Sequence, residues 1–379
     1  YATIAGRIIT KRDMGKIAFC NIQDRDGNIQ IYIRKDTIGE EAYSVFKLSD
    51  IGDIIGITGQ VMRTNTGELS IKVSEYTHLV KALRPLPEKY HGLQDVEERY
   101  RRRYVDLIVN EQSRKTAINR TRIIREMQHY FDSLGFIEVE TPCLTSMITG
   151  ASARPFATHH NALDKDFYLR IATELPLKRL LVGGLERVYE FGRLFRNEGM
   201  DTKHSPEFTT VELYQAFGDL RSMMELCETT FKRIAKNVFN GQEEFEWNGH
   251  VINIAQPFKV VAMVDLVKEV TGIDFNEISS FEQAKALAEE KELFVPAHFT
   301  TVGHILNLFF EEFCEKTLIQ PTFLTRHPIE ISPLTKVCED DPRYVDRFEL
   351  FIAGCEFANA YSELNDPIDQ RNRFVEQLK

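Results

Sequence analysis

The sequence has few features of membrane, secreted or disulfide-stabilised proteins. None of its apolar runs approaches the about 18 residues that a membrane-spanning helix needs, and the first residues, YATIAGRIITKRD, lack the apolar core of a signal peptide. The six cysteines are scattered and include no Cys-x-x-Cys pair, which argues against a disulfide framework or a structural zinc site. We therefore expect a protein of the reducing cytoplasm with no membrane segment.

An excess of positive charge is also missing. The formal net charge is −10, which is not typical of a protein that binds nucleic acid over its whole surface. RNA binding needs only a local basic face, however, and residues 1–36 carry seven Lys or Arg against four Asp. With 43% hydrophobic and 27% charged residues over 379 positions, the composition predicts a globular chain with one small and one large domain.

Residues 1 to about 75 are predicted to form a small β-barrel, because short β-branched runs alternate there with turn signals. The predicted strands are Ile4–Thr10, Ile17–Asp24, Ile29–Arg34, Asp53–Arg63 and Leu69–Val73, with a helix at Glu40–Leu48. Five strands with a helix after the third is the order of an OB-fold, which binds oligonucleotides on its second and third strands. Side chains that could contact RNA there are Arg12, Phe19, Gln30 and Arg34. Phe19 fits the barrel core equally well.

The region after the barrel contains a linker and two predicted helices. Lys81–Glu88 includes two prolines and is typical of an extended linker. One helix is predicted at Asp95–Val109, and four of the five residues Arg99–Arg103 are arginines, which fits either a contact with RNA or another subunit, or a solvated helix face. A long amphipathic helix, Glu111–Leu134, is followed by a glycine, a short strand and Pro142.

The densest group of chemically useful side chains lies in the stretch Phe195–Tyr214, between predicted strands at Arg187–Phe195 and Glu207–Phe217. The stretch carries Arg196, Glu198, His204, Phe208, Glu212 and Tyr214. A guanidinium suits a phosphate, a ring suits a base, and a carboxylate beside a tyrosine hydroxyl suits an ammonium group. The pattern indicates a site for a nucleotide and an amine together, although an ordinary hairpin with a charged loop fits it as well.

Further candidate ligands lie on both sides of this stretch. Glu174 begins a predicted helix and could bind an amino group, or could simply be a glutamate favoured at a helix start. Glu349 and Glu356 could share a Mg²⁺ ion if their strand bends near Gly354, whereas on a regular strand they would be surface carboxylates. Three residues alternate with period two and are expected on one face: Asn359, Tyr361 and Glu363.

Other segments are expected to carry no chemistry of their own. His159 and His160 are adjacent and would point apart, so we predict a surface pair rather than a metal site. Val261–Val295 is predicted to be largely helical, polar and placed at the edge of the fold. The small residues of Thr149–Phe156 predict a loop that allows close approach of the backbone to a ligand.

The form FRNEG…HSPEFT…ELY resembles motif 2 of the class II aminoacyl-tRNA synthetases, and within that class it is similar to the lysine-specific enzymes of bacteria. Glu111–Leu134 with the strand and proline that follow resembles motif 1, and the resemblance covers essentially the whole chain. It implies an α+β protein with a five-stranded OB-fold β-barrel (1–75) that holds the tRNA anticodon, a linker (76–112) and a catalytic domain (113–379). That domain would be an antiparallel β-sheet flanked by helices, with a helical insertion at about 218–300.

The resemblance also implies ligands and site residues. It implies activation of L-lysine by ATP with Mg²⁺, transfer to tRNA(Lys), and a homodimer formed through the motif 1 region. The implied lysine-binding residues are Gly150, Glu174, Glu212, Tyr214, Asn359, Tyr361 and Glu363. The implied ATP-binding residues are Arg196, which is also the catalytic residue, Glu198, His204, Phe208 and Glu349. Glu349 and Glu356 would bind the metal, and the anticodon would contact Arg12, Phe19, Gln30 and Glu68.

The sequence departs from the family in three places. No Gly-rich GxGxGxxR motif 3 is present, Cys355 replaces a more usual arginine, and Ile148-Thr149-Gly150 replaces a more usual Pro-Gly-Gly. Two alternative functions therefore stay open. One is a non-catalytic RNA-binding or regulatory fragment, and the other is a lysine ligase with another acceptor, such as the relative that lysylates an elongation factor but lacks the barrel.

Overall fold

The computed structural model describes residues 1–87, 93–148, 150–151, 153–201 and 204–377. Parts of three predicted segments lie outside the described residues: Glu88 at the end of the linker, Thr149 and Ser152 in the small-residue loop, and Thr202 and Lys203 in the motif 2 loop. The chain forms two compact units, Tyr1–Asn119 and Arg120–Lys379. Among the described residues, no helix is both long and apolar enough to cross a membrane.

The first unit contains the predicted five-stranded barrel. Its elements are β1 (Ala2–Asp13), β2 (Ile17–Gln23), β3 (Asn28–Arg34), α1 (Lys35–Ile38), α2 (Glu40–Lys47), β4 (Ile54–Arg63) and β5 (Leu69–Val80). The strands close in the order β1-β2-β3-β5-β4, which confirms the expected barrel. The prediction that β5 ends at Val73 was wrong, since β5 continues to pair with β4 as far as Val80, opposite Ile54.

Phe19 lies outside the barrel core, on the opposite face of its strand. The fully buried side chains come from alternate strand positions, such as Ala18, Cys20, Ile31 and Ile33. Because successive side chains of a strand point to opposite faces, Phe19 lies on the outside of the barrel, half-buried.

The arginine-rich segment forms two short helices rather than the single helix predicted at Asp95–Val109. Helix α3 (Val96–Arg101) and helix α4 (Arg103–Val109) are separated at Arg102, whose φ and ψ are −114° and 51°. The break allows Arg99 and Arg103 to reach the fully buried Asp106 from both sides, at 2.9 and 2.6 Å. Arg101 and Arg102 pair with glutamates one turn earlier in the chain. All four arginines of the run therefore have carboxylate partners inside this unit.

The next elements carry the first half of the candidate site. They are α5 (Glu111–Ser133), β6 (Ile137–Glu138), β7 (Leu144–Thr145), β8 (Ala157–His160), β9 (Lys165–Leu169), α6 (Glu174–Val182), β10 (Arg187–Phe195) and β11 (Glu207–Gln215). The hairpin β10–β11 pairs along nine residues of each strand, and β6 adds to β10 in parallel. A separate sheet has the order β7-β9-β8.

The remaining elements form a four-stranded sheet, a separate two-stranded sheet, and the helices around them. They are α7 (Leu220–Asn237), β12 (Glu244–Trp247), β13 (His250–Asn253), β14 (Lys259–Ala262), α8 (Met263–Thr271), α9 (Phe281–Glu290), α10 (Val302–Phe309), β15 (Thr322–Pro328), β16 (Tyr344–Ile352), β17 (Cys355–Tyr361) and α11 (Pro367–Gln377). A π-helical turn at Phe310–Cys314 and 3₁₀ turns at Glu315–Thr317 and Ile329–Ile331 connect α10 with β15 and β15 with β16. Strands β12 and β13 form a hairpin whose turn residues, Asn248 and Gly249, both have positive φ, 50° and 77°.

The larger sheet of this unit is antiparallel along β15, β16 and β17, and β14 joins β15 in parallel. A helical connection carries the chain from β14 back to β15, as parallel neighbours require. The segment predicted at Val261–Val295 contains α8 and α9, and it is not polar throughout, since Met263 and Val267 are fully buried in a core shared with Leu324 of β15.

Glu349 and Glu356 lie on neighbouring strands rather than on one bent strand. The chain reverses at Ala353 and Gly354, whose φ values are 50° and 67°, and β16 pairs antiparallel with β17. A register shift between Leu350 and Phe351 accompanies this turn. The predicted bend near Gly354 is therefore a hairpin turn.

Candidate active site

The hairpin β10–β11 holds the carboxylate–tyrosine pair on one face. Glu212 and Tyr214 are two residues apart on β11, and the hydroxyl of Tyr214 donates to Oε1 of Glu212 at 2.8 Å. The backbone N–H of Thr173, at the start of α6, donates to Oε2 of Glu212 at 3.2 Å, and the Thr173 hydroxyl does so as well. In the described part of the chain, no cation pairs with Glu212 within 4.0 Å.

Helix α6 brings a second carboxylate to the same place. Glu174 is buried, and its Oε1 accepts hydrogen bonds from the hydroxyl of Tyr361 at 3.0 Å and from Nζ of Lys178 at 2.5 Å. Lys178 Nζ also lies 2.8 Å from Oε2 of Glu363, which follows β17. The structure therefore gathers three predicted residues, Glu174, Tyr361 and Glu363, with a fourth, Lys178, that sequence reasoning missed. The four-residue spacing of Glu174 and Lys178 on a predicted helix was the available signal.

The protonation states of this group follow from burial and from the neighbouring carboxylates. Burial, reinforced by the charges of Glu212 and Glu174, raises the pKa of Tyr214 and Tyr361, so both hydroxyls stay protonated donors. Burial alone would lower the pKa of Lys178, but its hydrogen bonds to Glu174 and Glu363 raise it overall. The ammonium form of Lys178 is therefore the stable one in the pocket.

Gly150 closes one side of this group, and only glycine fits there. Its φ is 88°, and a Cβ added to it would lie 2.9 Å from the Cβ of Ala172 and 3.4 Å from that of Glu174. The backbone thus approaches the start of α6 more closely than any side chain allows.

Arg196 and Phe208 form a second group, at the loop end of β10–β11. The guanidinium carbon of Arg196 lies 5.2 Å from the centroid of the Phe208 ring. Nε of Arg196 is buried and has no hydrogen-bond partner among the described residues, which suits an anionic ligand. A cavity of about 530 Å³ opens beside this group, and its lining residues are Ala151, Ala153, Arg154, Asn197, Glu198 and Gly199.

Glu198 and His204 are placed differently with respect to this cavity. Oε1 of Glu198 accepts a bond from the backbone N–H of Arg154 at 3.4 Å, so the residue faces the cavity. His204 is exposed, and its Nδ1 lies 2.7 Å from Oδ2 of Asp201. His204 is thus held within its own loop and does not line the cavity.

The carboxylates of β16 and β17 form a third group. Glu349 lies opposite Asn359, and its Oε1 accepts from Nη2 of Arg347 at 2.5 Å, while Nε of Arg347 donates to Oδ1 of Asn359 at 3.1 Å. Nε2 of the buried His327 is 3.4 Å from Oε2 of Glu349, and since neither ring nitrogen makes a hydrogen bond of good geometry to a described residue, this contact is an electrostatic one.

Glu349 and Glu356 differ in their affinity for protons. Burial would raise the pKa of Glu349, but His327 and Arg347 lower it overall. Glu356 lies on an edge strand and, taken as a whole residue, is exposed. Its carboxyl group is nevertheless partly enclosed by protein, and this burial, together with the charge of Glu349, raises its pKa to about 7. Two carboxylates that repel each other in this way fit a divalent cation. The described residues contain no cluster of three or more potential metal ligands, so a cation here would take its other oxygen ligands from water or a substrate.

The outer face of the barrel carries two rows of polar and aromatic side chains. One row runs across four strands through Arg12, Phe19, Tyr32 and Lys72, and the rings of Phe19 and Tyr32 are 5.0 Å apart. The other row runs through Thr10, Asn21, Gln30 and Ser70, and Nε2 of Gln30 donates to the Ser70 hydroxyl at 2.9 Å. Sequence reasoning missed Tyr32, although the alternation of β3 was visible.

Glu68 is not part of either row. It is exposed in the turn between β4 and β5, next to the first residue of β5.

Two family descriptions match the chain. The one described as "tRNA synthetases class II (D, K and N)" matches residues 95–379, and the one described as "OB-fold nucleic acid binding domain" matches residues 2–79. A lysine–tRNA ligase of Streptococcus agalactiae serotype V is 59% identical over 376 residues, which are 99% of this chain and 76% of the relative. A lysine–tRNA ligase of Lactococcus lactis subsp. cremoris is 58% identical with the same coverage, and one of Streptococcus sanguinis is 58% identical over 378 residues. The chain therefore belongs to the class II tRNA synthetases of the D, K and N family, in the branch that contains these lysine–tRNA ligases.

Proposed function

We propose that the chain activates L-lysine with ATP and transfers the lysyl group to the 3′ end of tRNA(Lys). The observation that carries this proposal is the grouping of Glu174, Glu212 and Glu363 with the hydroxyls of two tyrosines, beside the Arg196–Phe208 pair. Carboxylates and protonated hydroxyls at one place suit the two ammonium groups of lysine. The high identity to lysine–tRNA ligases over the whole chain supports the same substrate.

The pocket can distinguish the two ends of lysine. In the proposed arrangement Glu174, held against Gly150, binds the α-ammonium group, and Glu363 binds the ε-ammonium group with Glu212 and Tyr214. Tyr361 orients Glu174 from β17, since its hydroxyl donates to Oε1 of Glu174, and we assign Asn359 of the same strand to lysine binding as well. A neutral amino acid would leave a buried carboxylate without a partner, which is costly.

The reaction needs no covalent enzyme intermediate. One carboxylate oxygen of lysine attacks the α-phosphorus of ATP, a new O–P bond forms, and the bond to the leaving pyrophosphate breaks. The 3′-terminal ribose hydroxyl of tRNA then attacks the carbonyl carbon of the lysyl adenylate, loses its proton and releases AMP. Arg196, whose Nε is buried without a partner among the described residues, would bind the α-phosphate, and Phe208 would stack on the adenine. Glu198, which lines the cavity, would frame the nucleotide, and His204 would join it only after leaving Asp201.

The metal requirement is part of the proposal. Glu349 and Glu356 would hold Mg²⁺ together with phosphate oxygens of ATP, and Arg347 keeps Glu349 oriented towards its neighbour strand. When bound, Mg²⁺ would neutralise charge on the triphosphate. Support comes from the raised pKa of Glu356, which reflects burial first and then the nearby charge of Glu349.

The barrel is proposed to bind the anticodon of tRNA. Phe19 and Tyr32 offer adjacent rings for base stacking, and Arg12 and Lys72 flank them with positive charge. Gln30 offers an amide to a base edge, and Glu68 could contact the anticodon only from the neighbouring turn. We assign this role to residues 1–75, the linker to 76–112 and catalysis to 113–379.

We also propose a homodimer formed through the motif 1 region, in the cytoplasm. Ile137 on β6, Val182 at the end of α6 and Phe217 after β11 are 50%, 91% and 95% exposed. These side chains would be covered by the partner subunit if they belong to one interface. The expected measurement is a molecular mass of twice the chain mass by analytical ultracentrifugation, which falls to the monomer value in Phe217→Asp.

The test of the activity is lysine-dependent ATP–pyrophosphate exchange, with aspartate and asparagine as controls. Exchange with lysine alone supports the proposal, and its loss in Glu212→Gln with the fold retained would place the chemistry in the described pocket. Absence of exchange with any amino acid, with RNA binding kept, would favour the non-catalytic alternative. Lysylation of an elongation factor but not of tRNA(Lys) would favour the alternative acceptor.

A further inference from the structure

The amino-acid pocket contains a cation of its own. The ammonium group of Lys178 lies between two carboxylates, 2.5 Å from Oε1 of Glu174 and 2.8 Å from Oε2 of Glu363. It also lies within 6 Å of two ring centroids, 5.9 Å from that of Tyr214 and 5.8 Å from that of Tyr361. A single protein ammonium group thus touches two of the three carboxylates to which the proposed function assigns lysine binding.

The charges of the pocket explain why such a group is needed. Glu174 and Glu363 come from different elements, α6 and the segment after β17, and both are drawn to the same Nζ atom. Without a cation between them, two carboxylates at this separation would repel each other, and one would move away or bind a proton. Glu212, in contrast, is held by hydrogen bonds from Thr173 and Tyr214 that carry no charge.

We propose that Lys178 is a positioning and specificity-determining residue, whose ammonium group bridges Glu174 to Glu363 and neutralises one of the three carboxylate charges. The two negative charges that remain match the two ammonium groups of the substrate. An amino acid with only one ammonium group leaves one negative charge of the pocket without a partner. The proposal rests on the proposed function, because it concerns the same lysine pocket.

Lys178 does not react with the substrate in this scheme. Its proposed role also differs from that of a side chain that occupies the substrate's place and competes with lysine for the two carboxylates. A competitor would have to leave the two carboxylates before lysine could bind, so its removal would tighten lysine binding. A bridge stays in place, so its removal weakens lysine binding by letting Glu363 move. The two roles therefore predict opposite changes in the KM for lysine.

The test measures ATP–pyrophosphate exchange by the wild type, Lys178→Met and Lys178→Arg, with melting temperatures as a check of folding. We expect Lys178→Met to raise the KM for lysine about tenfold or more, as for a lost hydrogen bond between charged groups, and to change the KM for ATP less than about twofold. Lys178→Arg, which can still bridge the two carboxylates, should stay within about threefold of the wild type. An unchanged or lower KM for lysine in Lys178→Met would overturn the proposal.

Lys178→Gln, which keeps a hydrogen-bond donor but no charge, replaces Lys178→Met with the same expected rise in KM if Lys178→Met does not fold, and a second pair of variants adds an independent test. In Glu363→Gln there is no second carboxylate to bridge, so adding Lys178→Met should raise the KM for lysine by at most about threefold more. A further rise as large as about tenfold in this background would show that Lys178 acts independently of Glu363 and would overturn the proposal. Failure of the wild type to exchange with lysine would instead refute the proposed function, so the two failures are distinguishable.

Discussion

The hydroxyl of Tyr361 donates a hydrogen bond to Oε1 of Glu174 at 3.0 Å, across 187 positions of sequence. This bond connects β17 to the start of α6, and so connects the two halves of the proposed lysine pocket. We expect Tyr361→Phe to raise the KM for lysine about tenfold, because Glu174 loses a donor in a partly buried site. ATP–pyrophosphate exchange rates, measured at saturating ATP over a range of lysine concentrations, would give this change in KM.

The matched control for this variant is Tyr189→Phe. Tyr189 is fully buried, and its hydroxyl donates to Asp132 at 2.8 Å. Removing that hydroxyl should lower the melting temperature but leave the KM for lysine unchanged. Equal changes of KM in both variants would mean that the Tyr361 effect is one of stability alone.

Comparing Gly150→Ala with Gly249→Ala separates the effect of backbone strain from that of a steric clash. Both Gly150 and Gly249 have positive φ, 88° and 77°, but an added Cβ meets Ala172 at 2.9 Å in the first case and no atom within 4 Å in the second. Each alanine should cost about 1–2 kcal/mol in the free energy of unfolding, since the left-handed conformation is strained. Only Gly150→Ala should also weaken lysine binding, measured by isothermal titration calorimetry. Equal binding by both variants would show that the contact with α6 is unimportant for the pocket.

Local patterns in the sequence were enough to predict the elements that carry the site. The bounds of β10 follow from a run of β-branched and aromatic residues, and the two-residue spacing of Glu212 and Tyr214 predicts their shared face. The hairpin turn between β16 and β17 was harder, because Ala353 adopts a positive φ that its side chain does not favour. Local spacing therefore could not decide whether Glu349 and Glu356 lie on one strand.

Contacts between distant elements could not be predicted from spacing. Lys178 looks like an ordinary partner of Glu174 on a helix, and its second contact, with Glu363, exists only because β17 ends beside α6. The break between α3 and α4 has a similar origin. It depends on burial of Asp106 between Arg99 and Arg103, and helix propensity contains no information about that burial.

Asp106 should be a main determinant of stability in the first unit. Burial would raise its pKa, but hydrogen bonds from Asn110, Ser113, Arg99 and Arg103 lower it overall. Because the folded-state pKa is lowered, the stabilisation is present above the unfolded-state value and is lost as pH falls through the folded-state value. We expect Asp106→Asn to reduce the free energy of unfolding by about 3–5 kcal/mol at neutral pH, because it breaks a buried ion pair.

Urea denaturation at neutral and acidic pH would measure the effect of Asp106→Asn. The difference between variant and wild type should shrink as the pH falls. Asp26→Asn is the control, since the Asp26 side chain is 81% exposed and its ion pair with Arg25 is at the surface. A difference that does not depend on pH would show that the charge of Asp106 is not the cause.

The rings of Phe19 and Tyr32 should contribute to tRNA binding and not to adenylate formation. The two rings lie 5.0 Å apart on the outer face of the barrel, where two successive bases could stack on them. Phe19→Ala and Tyr32→Ala should each weaken tRNA binding by about 1–3 kcal/mol, the range for the loss of one stacked base. Lysine-dependent pyrophosphate exchange without tRNA should not change, because the proposed lysine and ATP sites lie in the second unit. Phe294→Ala, at a residue that is 83% exposed, is the control for the loss of a surface ring. Filter binding with tRNA(Lys) at a fixed salt concentration measures the affinities, and equal losses in all three variants would contradict a role for this barrel face.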